Sequence, residues 1–156
     1  MPRCYSIRRA EEQDCAEITR LAGQLGYPVS EDVMRLRLQR LLKNPGDIVF
    51  VAESGDTDDL VGWIQGALCQ YLESDYRVEI AGLVVDDRFH RRGIGRDLVE
   101  RVESWAITQG ALQSSVRCRT TRPEAHRFYG SLGYVETKTQ IVFRKPLLQT
   151  ATRSAK

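Results

Sequence analysis

At 156 residues and 17.8 kDa, the chain has the size of one domain and can bury a sizeable core. Its composition, 42% hydrophobic and 28% charged, is that of an ordinary soluble globular protein. Twenty-three basic against 21 acidic residues leave a net charge of +2, which excludes nucleic-acid binding by bulk electrostatics. Only a local cluster such as Arg88, Arg91, Arg92 and Arg96 could serve an anion. Cys4, Cys15, Cys69 and Cys118 form no CxxC pair and no Cys/His cluster, so neither structural zinc nor a disulfide framework is expected. MPRCYSIRRAEE has no apolar leader, and no stretch approaches the ~20 apolar residues of a membrane span. A cytoplasmic location without membrane association is the expectation.

In chain order, residues 4–10 read as a short strand. Residues 11–25 then place Cys15, Ile18, Leu21, Ala22 and Leu25 at helical spacing, with Gly26 as the stop. Ser30, Glu31 and Asp32 predict an N-cap and an acidic first turn for a second helix that runs to about Lys43. The period then changes to two. Strands are expected over 47–54, 60–72 and 77–85, with a turn at 55–59. Ile94, Leu98, Val99, Val102, Trp105 and Ala106 mark an amphipathic helix ending near Gly110. A strand over 114–119 and a short helix over 122–133 follow, and 134–138 with 139–147 read as a closing hairpin. A meander followed by a crossover predicts a mixed sheet with helices on both faces. Residues 1–148 form a single domain in this reading, and 149–156 are a frayed polar tail.

The stretch DDRFHRRGIGRDLVERVESW joins a strand to a helix through two glycines. A helix start exposes unpaired N–H groups and the positive end of the helix dipole, which together attract phosphate. Glycine lets the backbone take φ > 0 and lets a ligand approach without a Cβ in the way. The same residues also suit a plain loop with solvated arginines, and HRRGIGR alone leaves both readings open. A Walker A loop fits poorly, because Arg96-Asp97 follow Gly95 where Lys-Ser/Thr is required. GxGxxG fails at Leu98.

The order of a strand, HRRGIG, a long helix, a strand and then AHRFYGSLGY resembles the GNAT superfamily of acetyl-CoA-dependent N-acetyltransferases. That family's turn motif, Gln/Arg-x-x-Gly-x-Gly/Ala, falls on His90, Arg91, Arg92, Gly93, Ile94 and Gly95. Its second signature falls on Ala125, Tyr129 and Gly133-Tyr134. The resemblance is close over about residues 78–135, and over the first 45 residues only the order of elements agrees. It implies an α/β fold with a mixed, largely antiparallel sheet of six or seven strands flanked by helices. It further implies transfer of acetyl from acetyl-CoA to a primary amine by direct attack in a ternary complex, without a metal. Main-chain N–H groups of Arg91, Arg92, Gly93, Ile94, Gly95 and Arg96 would hold the pyrophosphate. Pantetheine would add as a pseudo-strand beside Leu83, Val84 and Val85, with a bulge at Gly82. Two departures are His90, where Gln or Arg is usual, and Arg122, where many members have an Asn that binds pantetheine. Homodimers are frequent in the superfamily and are an expectation here too.

Acetyl transfer to an amine needs a proton acceptor, a donor to the thioester oxygen and a proton for the departing thiolate. By its place in the motif, Tyr129 corresponds to the general acid, although Ala125, Phe128, Tyr129 and Leu132 also form one apolar face and Tyr129 could belong to the core. Glu79, an acidic residue among Val78, Ile80 and Ala81, is the candidate base; otherwise it is an edge carboxylate paired with Arg77, or a substrate-orienting group. The Val85 N–H would polarise the carbonyl. Glu73 and Asp75 are candidates for a cationic acceptor. His126 reads as a solvated or capping side chain, Thr121 with Glu124 as a capping box, and Trp63 and Trp105 as packing residues. Alternative readings are a non-catalytic acyl-CoA-binding or regulatory module and, more remotely, a nucleic-acid binder. The acceptor stays open among polyamine, antibiotic, amino acid, peptide and protein lysine.

Overall fold

A computed structural model describes residues 4–148, which fall into two compact units that divide between Arg117 and Cys118. The first carries β1 (Tyr5–Arg9), α1 (Cys15–Gln24), α2 (Glu31–Lys43), β2 (Asp47–Ser54), β3 (Leu60–Cys69), β4 (Arg77–Val85), α3 (Ile94–Thr108) and β5 (Gln113–Val116). The sheet order is β1-β2-β3-β4-β5, antiparallel throughout except for the parallel β4–β5 pair, which α3 connects. A parallel pair requires such a crossover, and α3, whose apolar stripe packs on the sheet, provides it.

Alternation along the strands gives the sheet two apolar faces. On one, Val49, Val51 and Leu60 pack with Cys15, Ile18, Leu21 and Leu38 of α1 and α2. On the other lies α3. There Gly66 has no Cβ because one would come within 2.8 Å of Val102 Cγ1. The Ser30 hydroxyl accepts from Val33 N–H and caps α2 as expected. The first helix starts later than its apolar spacing suggests: Glu12–Asp14 is a 3-10 turn, and the buried Asp14 takes both Arg8 terminal nitrogens at 2.8 Å.

The second unit carries α4 (Pro123–Ser131). Here three expectations are corrected. The described residues hold five strands, not six or seven, because the expected hairpin over 134–147 forms no ladder. Val135, Ile141 and Phe143 are 82%, 82% and 88% exposed. Strand-like alternation is present there, but a strand also needs a neighbour to satisfy its backbone, which local pattern cannot supply. Arg122, not Thr121, is the N-cap of α4 and makes no side-chain cap, so the anticipated capping box is absent. Glu124 instead pairs with Arg122 at 3.3 Å. His126 does act locally, its Nε2 lying 2.8 Å from the Arg119 carbonyl oxygen. The tail 149–156 lies outside the described residues. No helix among the described residues is long and apolar enough to cross a membrane.

Candidate functional site

The glycine turn has the geometry of an anion cradle. Arg91 (φ 64°) and Gly93 (φ 83°) both take left-handed backbone, one on each side of Arg92. Such alternation turns successive N–H groups toward a common concavity. The first hydrogen bond at the start of α3 joins Asp97 N–H to the Gly93 carbonyl at 3.0 Å. The N–H groups of Ile94, Gly95 and Arg96 therefore precede the helical ladder and are available to a ligand. Arg91, Arg92 and Arg96 are exposed around them, with Arg92 stacked over Phe89 at 4.9 Å. Arg88, which the sequence places in the same basic cluster, is engaged elsewhere: its Nε and Nη2 donate to the buried Asp86 carboxylate.

The end of β4 is open on one side. Asp86 N–H donates to the Val61 carbonyl at 2.8 Å, so these two residues form a hydrogen-bonded antiparallel pair and Gly62–Val85 is the non-bonded pair beside it. The main-chain groups of Val85, and of Leu83 two residues earlier, consequently face away from β3. Pairing with β5 stops at Ile80–Val116, so among the described residues no strand of the sheet pairs with them. Val84 is different: its main chain is directed at β3 and its side chain is buried. The register step from Gln65–Gly82 to Gly66–Ile80 makes Ala81 the extra residue of a bulge, one position before the expected Gly82. Gly82 matters for another reason, since the Trp63 ring lies 3.1 Å from where its Cβ would be. His90 also acquires a role, because its Nε2 sits 2.8 Å from the Val85 carbonyl oxygen. That acceptor is occupied, which leaves the Val85 N–H and both Leu83 groups on the open side.

Glu79 lies on β4 opposite Ala67 of β3 and Ser115 of β5. Its partner is Arg117, whose Nε is 3.0 Å from Oε1, and not Arg77. Arg77 instead lies over the Tyr71 ring at 4.7 Å and donates to Ser74 Oγ at 3.0 Å. Oε2 of Glu79 is 4.0 Å from the Cys69 thiol. Neither Arg117 nor Cys69 stood out in the sequence, for each faces Glu79 only through strand pairing. The loop after β3 forms a hollow of about 440 Å³ lined by Leu72, Glu73, Ser74, Asp75 and Gln113. Both candidate acceptor carboxylates are therefore on one surface.

In the second unit, Tyr129 packs edge-on against Phe128 and Tyr134 at 5.0 and 5.6 Å. Burial pushes its phenol well above the ordinary range, and a neighbouring Cys118 adds to the rise while Arg122 opposes it. The hydroxyl thus stays protonated throughout the neutral and mildly alkaline range. Burial also raises the Cys118 thiol.

The chain matches the family model described as acetyltransferase (GNAT) family over residues 5–134. Aminoglycoside N(6')-acetyltransferase type 1 of Stenotrophomonas maltophilia is 28% identical over 150 residues, which cover 94% of this chain and 96% of that protein. Glucosamine 6-phosphate N-acetyltransferase 1 of Oryza sativa subsp. japonica is 30% identical over 145 residues, covering 88% and 85%. Among solved structures, aminoglycoside N-acetyltransferase AAC(6')-Iy in complex with CoA superposes with a TM-score of 0.83 at 20% identity, over 94% of this chain and 99% of that one.

Proposed function

The chain belongs to the acetyltransferase (GNAT) family, and on that premise we propose that it moves the acetyl group of acetyl-CoA to a primary amine of a small, multiply cationic acceptor of the amino-sugar type. The observation that carries the reading is the open side of β4 at Leu83 and Val85, followed directly by the free amides that begin α3. One part suits an extended chain bearing amides, the other a pyrophosphate, and CoA has both in that order. Acetyl-CoA supplies the thioester; the protein binds it, orients it and handles protons. The Val85 N–H donates to the thioester oxygen. Glu79 accepts the amine proton through Oε2, while Arg117 fixes Oε1. By its place in the family's second signature, Tyr129 gives its phenol proton to the departing thiolate.

Support for the acceptor class comes from two sides. Glu73 and Asp75 give the hollow after β3 an acidic lining, and several relatives similar over most of this chain bear the name aminoglycoside N(6')-acetyltransferase. The test is free-thiol release from acetyl-CoA over a panel of aminoglycosides, glucosamine 6-phosphate, polyamines and lysine peptides. Release should be fastest with the aminoglycosides, and Glu73→Gln with Asp75→Asn should raise the KM of that acceptor severalfold, since exposed charge pairs contribute about 0.2–1 kcal/mol each. Faster release with peptides would sink the acceptor class. No release with any amine, alongside tight CoA binding, would instead establish a non-catalytic acyl-CoA-binding module.

A further inference from the structure

Asp86 is fully buried, at 0% exposure, between the last residue of β4 and the glycine turn. A lone carboxylate there would be costly, and it is not alone. Its Oδ1 accepts from Arg88 N–H at 3.1 Å and Arg88 Nε at 3.2 Å, and its Oδ2 from Arg88 Nη2 at 3.0 Å and Arg20 Nη1 at 3.1 Å. Arg20 belongs to α1 and also donates to the Leu60 carbonyl at 3.0 Å, while Glu17 of the same helix holds Arg20 Nε at 2.7 Å and accepts from Leu60 N–H. Four residues further along α1, Gln24 Oε1 accepts from Asp87 N–H at 3.1 Å. Phe89 N–H closes back onto the Asp86 carbonyl at 2.8 Å, and His90 onto that of Val85. The segment 85–90 is thus tied to α1 and to the start of β3 at several points, immediately before a cradle that consists only of backbone.

We propose that Asp86, clamped by Arg20 and Arg88, is a positioning residue for cofactor binding: it fixes the segment 86–90 so that the N–H groups of 91–96 are pre-aimed at the pyrophosphate. A backbone cradle has no side chains with which to adjust, so its affinity depends on the φ/ψ values being set before the ligand arrives. This inference rests on the cradle being the CoA site.

The test compares Asp86→Asn, Arg8→Met and Gly93→Val, with Arg20→Lys in reserve, by CoA titration calorimetry, thermal melting and steady-state kinetics. Asp86→Asn should weaken CoA binding by tenfold or more and raise the KM for acetyl-CoA, with kcat at saturating acetyl-CoA and the acceptor KM within about twofold of the parent. Arg8→Met breaks the Arg8–Asp14 pair, another ion pair on a buried carboxylate, which joins β1 to the 3-10 turn before α1 rather than to residues 85–90. It should lower Tm without changing CoA affinity. If Asp86→Asn does not fold, Arg20→Lys replaces it and should weaken CoA binding severalfold. Equal losses of CoA affinity in Asp86→Asn (or Arg20→Lys) and Arg8→Met would reduce the clamp to general stability and overturn the proposal. Gly93→Val separates the two claims. If it weakens CoA binding while the clamp variants do not, only the clamp is overturned. If it too leaves affinity unchanged, the cradle reading falls, and the clamp with it.

Discussion

Tyr129 and Asp86 show two environments acting in opposite directions on acidic groups. Burial stabilises the neutral phenol of Tyr129, whereas hydrogen bonds from Arg88, and further ones from Arg20, hold the Asp86 carboxyl well below the usual carboxylate range despite its burial. Tyr129→Phe should lower kcat by roughly 10²–10⁴-fold, the span of one general acid, with the KM for acetyl-CoA nearly unchanged. Unaltered turnover would remove Tyr129 from the chemistry. For Asp86 the folded state favours the ionised form. Its contribution to stability is therefore complete above the unfolded carboxylate value near ~4 and is lost as pH falls below it. Acid melts of Asp86→Asn should accordingly be flatter than those of the parent below about pH 4, and the variant should be less stable at neutral pH by on the order of 2–4 kcal/mol. That figure lies toward the low side for a broken buried pair because Arg20 and Arg88 both reach solvent. The sequence brought out Tyr129 through motif position but passed over Asp86, since an Asp before a turn reads as an ordinary solvated cap.

At the scale of elements, β4 and α3 were fully legible, and both owe this to strong local pattern. RVEIAGLVV spans the strand as expected, and α3 buries each apolar residue that its spacing marks. Less legible was what each element leaves uncovered. The open side of β4 depends on where β5 stops pairing, and that depends on residues more than thirty positions away. Gly66→Ala should destabilise the protein by about 1–3 kcal/mol, because the new Cβ must displace Val102 of α3 and Ile48 of β2. A melting temperature within a degree of the parent would mean that α3 is less tightly seated than the contact indicates. At Gly93 the space is open but φ is positive, so the cost of a side chain there is conformational, about 1–2 kcal/mol.

For the whole molecule, the fold is more robust than its C-terminal stretch. Amide exchange should be slowest in β2, β3, β4 and α3, where the buried side chains concentrate, and fast over residues 135–148, whose backbone enters no ladder. Strong protection of 135–148 in the isolated protein would mean that this stretch pairs with a strand, and sedimentation would show whether that strand belongs to a second chain. Ionic strength offers a second test at this scale. With a net charge of only +2, any salt dependence must come from local clusters. The KM of a polycationic acceptor should rise between 0.05 and 0.5 M salt, as screening shortens the reach of Glu73 and Asp75. A flat response would place acceptor recognition elsewhere.

By itself the sequence determined the α/β class, the order of elements through α4, the glycine turn and the family, because hydrophobic period, caps and turn residues act over a few neighbours. Only the tertiary structure decided that five strands pair, that Arg117 rather than Arg77 holds Glu79, that His90 closes on Val85, and that Asp86 is buried between two arginines. Each of these depends on which residues meet across strands or between a helix and the sheet. Such meetings are fixed by register and packing, which no local stretch of the chain encodes alone.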